Sequence, residues 1–257
     1  MQGIVLESQQ ENVLFAGPAA KSSPTPPAMT FADHVIAFHA SLHLDAPLPE
    51  GIGVMNPFAE NPDVSRISSA FYRRFYDDTR PRGLILGINP GRLGGGATGV
   101  PFTDTKRLAQ ICDLVLPGLH THEPSSVFVY EVIDAYGGPA YFYGDWYINS
   151  VCPLGFVQQD AQGRIRNYNY YDSKALATAI MPFAAASVAR QVAFGIRRDR
   201  CLVLGSNQNY AFVRKLNQTH GWFAELVPLE HPRYIMQYRS KQRTAYIDKY
   251  LAALTGA

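Results

Sequence analysis

Four apolar runs alternate with helix-patterned stretches over the last two-thirds of this chain, and that alternation constrains the fold more than any other feature. Residues 82–88, 145–151, 200–205 and 223–230 read as strands. Helical patterns fall at 104–116, 125–136, 173–194 and 207–220, and a closing helix is expected over 239–253. Strands joined through helices pair in parallel, and a parallel sheet needs a cover on each face. The expected fold is therefore α/β, a three-layer sandwich around a central, mainly parallel four-stranded sheet. Pro182 should kink or divide the helix of 173–194, because it lacks the N–H of an interior position.

Upstream, Thr30 is placed to cap a helix over 31–44, and a second helix should run from Asn61-Pro62 to Tyr76. Residues 1–28 are rich in Gln, Ser and Pro without apolar periodicity, and are expected to form a flexible leader. Residues 29–257 show no internal repeat or linker and are expected to form one domain. Segment 158–172 breaks the pattern. Ala161-Gln162-Gly163 could turn a hairpin, or the interleaved Asn and Tyr could line a groove, and both readings stay open.

At 257 residues, 47% hydrophobic and 17% charged, the chain can bury an ample core. A net charge of +2 neither requires nor forbids a nucleic-acid partner, since local patches carry that signal. Cys112, Cys152 and Cys201 form no C-x-x-C pair, which argues against zinc, iron–sulfur and disulfide frameworks. No apolar stretch reaches about 18 residues, so no membrane span is expected. The start has no basic n-region, and a cytoplasmic location follows as the expectation.

Chemistry is announced by Gly87-Ile88-Asn89-Pro90-Gly91, directly after the first of these strands. It puts a carboxamide on a stiff turn at the carboxyl edge of the sheet, where open α/β folds bind ligands. The glycine-rich loop beyond it would let a planar or phosphorylated group approach the backbone, with Phe102 to stack on it. Asn149 in the second strand and His231-Pro232 after the fourth would share that edge. Separately, each is commonplace: a turn, a buried amide, a strand-end histidine. Together and in order they point to one pocket. The loop lacks the Gly-Lys-Ser/Thr tail of a P-loop. His120-Thr121-His122-Glu123 would be a weak metal loop at most.

Gly87-Ile88-Asn89-Pro90-Gly91…Gly94…Thr98-Gly99-Val100-Pro101-Phe102 resembles the first active-site motif of the single-strand-selective monofunctional uracil-DNA glycosylases. Ile148-Asn149-Ser150-Val151-Cys152-Pro153-Leu154 is similar to that family's His-Asn-x-Cys-Pro-Leu segment, and His231-Pro232 to the start of its second motif. The matches agree in order and spacing over residues 82–250. The chain departs from the family at Arg92-Leu93, at its extra glycines, and after His231-Pro232, where it reads Arg-Tyr-Ile-Met rather than Ser-Pro-Arg-Asn. It looks closest to a divergent bacterial branch.

The resemblance implies a uracil-DNA-glycosylase fold and a monofunctional enzyme that flips a deaminated or oxidised base out of DNA and leaves an abasic site. It implies Asn89 and His231 as catalytic residues, and Ile88, Gly91, Phe102 and Asn149 around the base. No cofactor or metal is implied, and the enzyme would act as a monomer. The stretch after His231 would supply the DNA contacts: Arg233, Tyr234, Met236, Gln237, Tyr238, Arg239 and Lys241, with Ile235 as a further wedge candidate. Five cations against Asp248 give residues 231–250 a formal charge of +4, suited to phosphates. The rival reading is a catalytically silent DNA- or nucleotide-binding protein on the same scaffold.

Overall fold

The computed structural model describes residues 28–160 and 162–256. The leader expected over 1–28 therefore lies, apart from Ala28, outside the described residues. The chain opens with α1 (Phe31–Ala40), β1 (Ile52–Met55), α2 (Pro57–Glu60) and α3 (Pro62–Tyr76). Next come β2 (Arg82–Gly87), α4 (Gly95–Thr98), α5 (Thr105–Cys112), α6 (Pro124–Ala135), α7 (Pro139–Asp145) and β3 (Trp146–Ser150). A hairpin of β4 (Gly155–Gln159) and β5 (Ile165–Tyr168) leads to α8 (Lys174–Val192), β6 (Ile196–Leu204) and α9 (Gln208–His220). The chain closes with β7 (Glu225–Leu229), α10 (Pro232–Tyr238), a 3-10 turn at Ser240–Gln242 and α11 (Arg243–Thr255).

The expected four-stranded sheet is present in the order β3-β2-β6-β7, with every neighbouring pair parallel and helices flanking it. All six residues of β2 are buried, as a central parallel strand requires. Local chemistry sets the helix starts. Thr30 Oγ1 accepts from Asp33 N, while the Asp33 carboxylate accepts from Thr30 N, a complete capping box. Asn61 caps α3, with Pro62 as its first residue. Asp104 caps α5 by accepting from Arg107 N.

Parts of this picture change and parts are added. Pro182 does not divide α8, which runs unbroken through it. Pro182 and Thr178 both lie on the exposed face, so the carbonyl deprived of its donor can be hydrated. Gly138-Pro139 starts a further short helix, α7, because proline suits a first helical position. Segment 158–172 satisfies both of its readings, since it forms the β4–β5 hairpin and also places Asn167 and Asn169 along a cleft. With β1 the hairpin builds a second, antiparallel sheet that alternation did not reveal. Finally, α8 is long and apolar enough by composition to cross a membrane. It nevertheless packs Leu176, Ile180, Ala184 and Val188 into the interior.

Candidate active site

Beyond Gly87 the backbone of β2 keeps pairing with the chain after β3, as Val151 N donates to Gly87 O and Cys152 N to Ile88 O. Asn89-Pro90-Gly91 thus leaves the sheet from a rigid base. The strand carrying His231 stands two places away, about 10 Å at the usual inter-strand spacing. The space between the two tips is a cleft lined by Ile88, Asn89, Gly91, Phe102, Ser150 and His231 among others.

The Asn89 side chain is held by the hairpin. Its Nδ2 donates to Tyr168 O at 3.1 Å, and its Oδ1 accepts from Tyr170 N at 3.1 Å. A carboxamide has two hydrogens and two lone pairs, so half of its capacity stays open toward the cleft. Asn167 Oδ1 accepts from Arg92 N at 3.0 Å, tying the same hairpin to the glycine loop. Phe102 stands at φ +53°, a backbone state that non-glycine residues rarely adopt and that stores roughly 1–3 kcal/mol. Thr98 Oγ1, donating to Thr103 O at 2.7 Å, helps to hold this turn. The Phe102 ring lies close over Gly87 and 5.6 Å from the His231 ring.

His231 caps α10, with Nδ1 accepting from Arg233 N at 3.2 Å. That bond assigns the ring proton to Nε2, which has no protein partner among the described residues. Desolvation, with a smaller push from the Arg233 charge, lowers the imidazole to about 4. At pH 7 it is a neutral donor.

Asn149 does not reach the cleft. Its Nδ2 donates to the Tyr147 hydroxyl and its Oδ1 accepts from Ser150 N, so it is engaged on the face of β3 that carries Tyr147. Successive strand residues point to opposite faces, and it is Ser150 that lines the cleft. The sequence held the signal. Counted back from Cys152-Pro153-Leu154, the motif's Asn falls on Ser150 and its His on Asn149. Glu123 was also missed as a cleft residue: it lines this cleft and the adjoining one, where Leu93, Arg233, Met236 and Gln237 stand.

The stretch after His231 is a helix rather than a loop, because His231 caps it and Pro232 occupies its first position. Ile235 is fully buried and cannot act as a wedge, whereas Tyr234 and Tyr238 are exposed with their rings 5.5 Å apart. The basic cluster is partly neutralised. Arg243 meets Glu131 at 3.2 Å and Lys249 meets Glu230 at 2.9 Å. Arg233, Arg239 and Lys241 have no ion pair among the described residues.

The carboxyl edge of the parallel sheet thus carries a fixed carboxamide, a neutral imidazole donor and an aromatic wall around one cleft. Residues 74–255 match the family described as "Uracil DNA glycosylase superfamily". The crystal structure of wild-type Pedobacter heparinus SMUG2 is 49% identical, covers 89% of this chain and 98% of its own, and superposes with a TM-score of 0.87. Curated proteins gave no match. The chain belongs to the uracil DNA glycosylase superfamily and is a DNA glycosylase.

Proposed function

We propose that the enzyme excises uracil, or a related deaminated or oxidised base, from DNA by flipping the nucleotide into this cleft. Water then hydrolyses the N-glycosidic bond and leaves an abasic site. The observation that carries the reading is the neutral His231, its Nε2 hydrogen unclaimed by protein, in one cleft with the half-paired Asn89.

Asn89 orients the water but cannot take its proton, since an amide is no base near neutrality. The bond to the base must therefore break ahead of attack, giving a cationic sugar and an anionic base. His231 Nε2–H stabilises the O2 of that departing base, and one such donor contributes about 2.7–4 kcal/mol to lowering the barrier. Phe102 stacks on the ring. Ile88 and Gly91 shape the pocket floor. Ser150 stands where the family's amide would read the base, and its hydroxyl can donate or accept, so it discriminates less between base edges. Among the described residues no lysine lines the cleft, which favours hydrolysis over a Schiff base.

DNA lies across α10. Arg233, Arg239 and Lys241 meet phosphates, Tyr234 and Tyr238 press on the opened stack, and Met236 and Gln237 border the adjoining cleft. Residues 29–257 work as one domain and, because one chain completes the cleft, as a monomer on cytoplasmic DNA. Labelled oligonucleotides carrying one uracil, incubated with the enzyme and then with alkali, should break at that position only after alkali. Intact strands for uracil, 5-hydroxymethyluracil and xanthine alike would leave the silent binder as the answer.

A further inference from the structure

Glu123 is an acid in the cleft that the chemistry above does not use. It holds the N-cap position of α6, yet its side chain makes no capping bond. The backbone is pinned, with Glu123 N donating to Asp104 Oδ2 at 2.8 Å and Glu123 O accepting from Ser126 N at 3.0 Å. The carboxyl instead reaches over the glycine loop. A Cβ on Gly94 would sit 2.1 Å from Oε2, and one on Gly91 would sit 3.2 Å from Oε1 and 3.4 Å from Asn167 Nδ2. The bare backbone at 91 and 94 thus makes room for this carboxyl. Oε2 accepts from Ser126 Oγ at 3.3 Å, while Oε1 and Asn167 Nδ2 have no hydrogen-bond partner among the described residues. A carboxyl placed for the helix alone would bond the first amides of α6. This one leaves an oxygen without a partner among the described residues, in the cleft that Phe102 and His231 also line.

We propose that Glu123 is a base-reading residue: Oε1, with Asn167 Nδ2 beside it over Gly91, hydrogen-bonds the polar edge of the flipped base and sets which lesions are excised. The proposal rests on the glycosylase reading above.

Burial, with a smaller push from the Asp104 charge, raises the Glu123 carboxyl to about 7, against the Ser126 hydrogen bond and the pull of Arg233. The charged and titratable groups around it are Asp104 and Arg107 from the start of α5, His122 beside Asp104, Arg92 in the glycine loop, Arg233 on α10, and His231. His231 stays neutral across this range. Below neutrality the protonated acid offers O–H to a base carbonyl, and above it the carboxylate accepts an imide N–H. Preference among bases with different edges should therefore swing with pH.

The test measures single-turnover excision of uracil, 5-hydroxymethyluracil and 3-methyluracil from oligonucleotides between pH 5.5 and 8.5; 3-methyluracil keeps the ring carbonyls and lacks the imide N–H. In the natural enzyme the ratio of rates for uracil and 3-methyluracil should change about tenfold through pH 7, the effect of one hydrogen bond made or left unmade. Glu123→Gln keeps the size but cannot titrate, so its ratio should be flat and shifted. His122→Asn should keep the swing. A flat ratio in the natural enzyme overturns the proposal, as does loss of the swing in His122→Asn or a Glu123→Gln effect equal for all bases at all pH values. Should Glu123→Gln fail to fold, the natural enzyme and His122→Asn decide the matter. Failure of the natural enzyme to release any base would instead refute the glycosylase reading itself.

Discussion

The two ends of β2 handle buried polarity in opposite ways. At its amino end Arg82 is wholly buried, with Nε donating to Tyr143 O, Nη1 to Asp78 Oδ1 and Arg80 O, and Nη2 to Asp78 Oδ2 and Phe75 O. Its guanidinium lies 4.8 Å from the ring centroids of both Phe31 and Tyr76. All five donors are satisfied. At the carboxyl end Asn89 is half paired, and among the described residues His231 Nε2 has no partner and Glu123 keeps an open oxygen. Complete pairing makes a clamp for the fold. Incomplete pairing in a preformed cleft marks where a ligand supplies the missing partners.

This contrast predicts that the two ends fail differently. Arg82→Ala should destabilise the protein by about 3–5 kcal/mol, the range for breaking a buried ion pair from one side. Urea unfolding measures it, and the fraction still folded should excise bases at the normal rate. His231→Ala should do the reverse, slowing single-turnover excision about 10²–10³-fold with its melting temperature unmoved. If either variant showed the other's phenotype, the division between clamp and site would be lost.

A third test concerns a buried group that is neither paired nor open to ligand. His39 stacks on Phe58, with ring centroids 4.2 Å apart, and its Nδ1 has no partner among the described residues. Burial lowers it to about 3, well below the ordinary 6.5. Its neutral form is the folded form, so its full contribution is present above pH 6.5 and fades as the pH falls toward 3. Stability should drop by about 2 kcal/mol between pH 6.5 and 5 from this group, and His39→Leu should flatten that limb in acid-dependent melts. The smallest effects belong to the surface. Arg239→Ala and Lys241→Ala should each reduce the salt slope of DNA binding by about 0.9. Arg243→Ala and Lys249→Ala, whose partners are Glu131 and Glu230, should leave it near its starting value.

Much of this could be read from short windows of the chain. Strand and helix periods announce the parallel sheet, and Asn-Pro-Gly and His-Pro announce chain turns at strand ends, which puts Asn89 and His231 at one sheet edge from the sequence itself. Asn149 shows where such reading stops. A one-residue step along β3 reverses the face, and the Tyr147 hydroxyl claims that amide while Ser150 opens to the cleft. The stretch after His231 likewise offers Tyr234, Ile235, Met236 and Tyr238 as apolar or aromatic wedges by composition, and packing removes Ile235 from them.

Periodicity, capping and turn chemistry act over a few residues, and for that reason the order of elements and the carboxyl-edge location of the site are written in this chain's linear pattern. The hairpin that grips Asn89, the free oxygen of Glu123 and the neutral state of His231 arise from contacts between segments distant in sequence. Desolvation and hydrogen-bond partnership exist only once those segments meet, so folding alone assigned them.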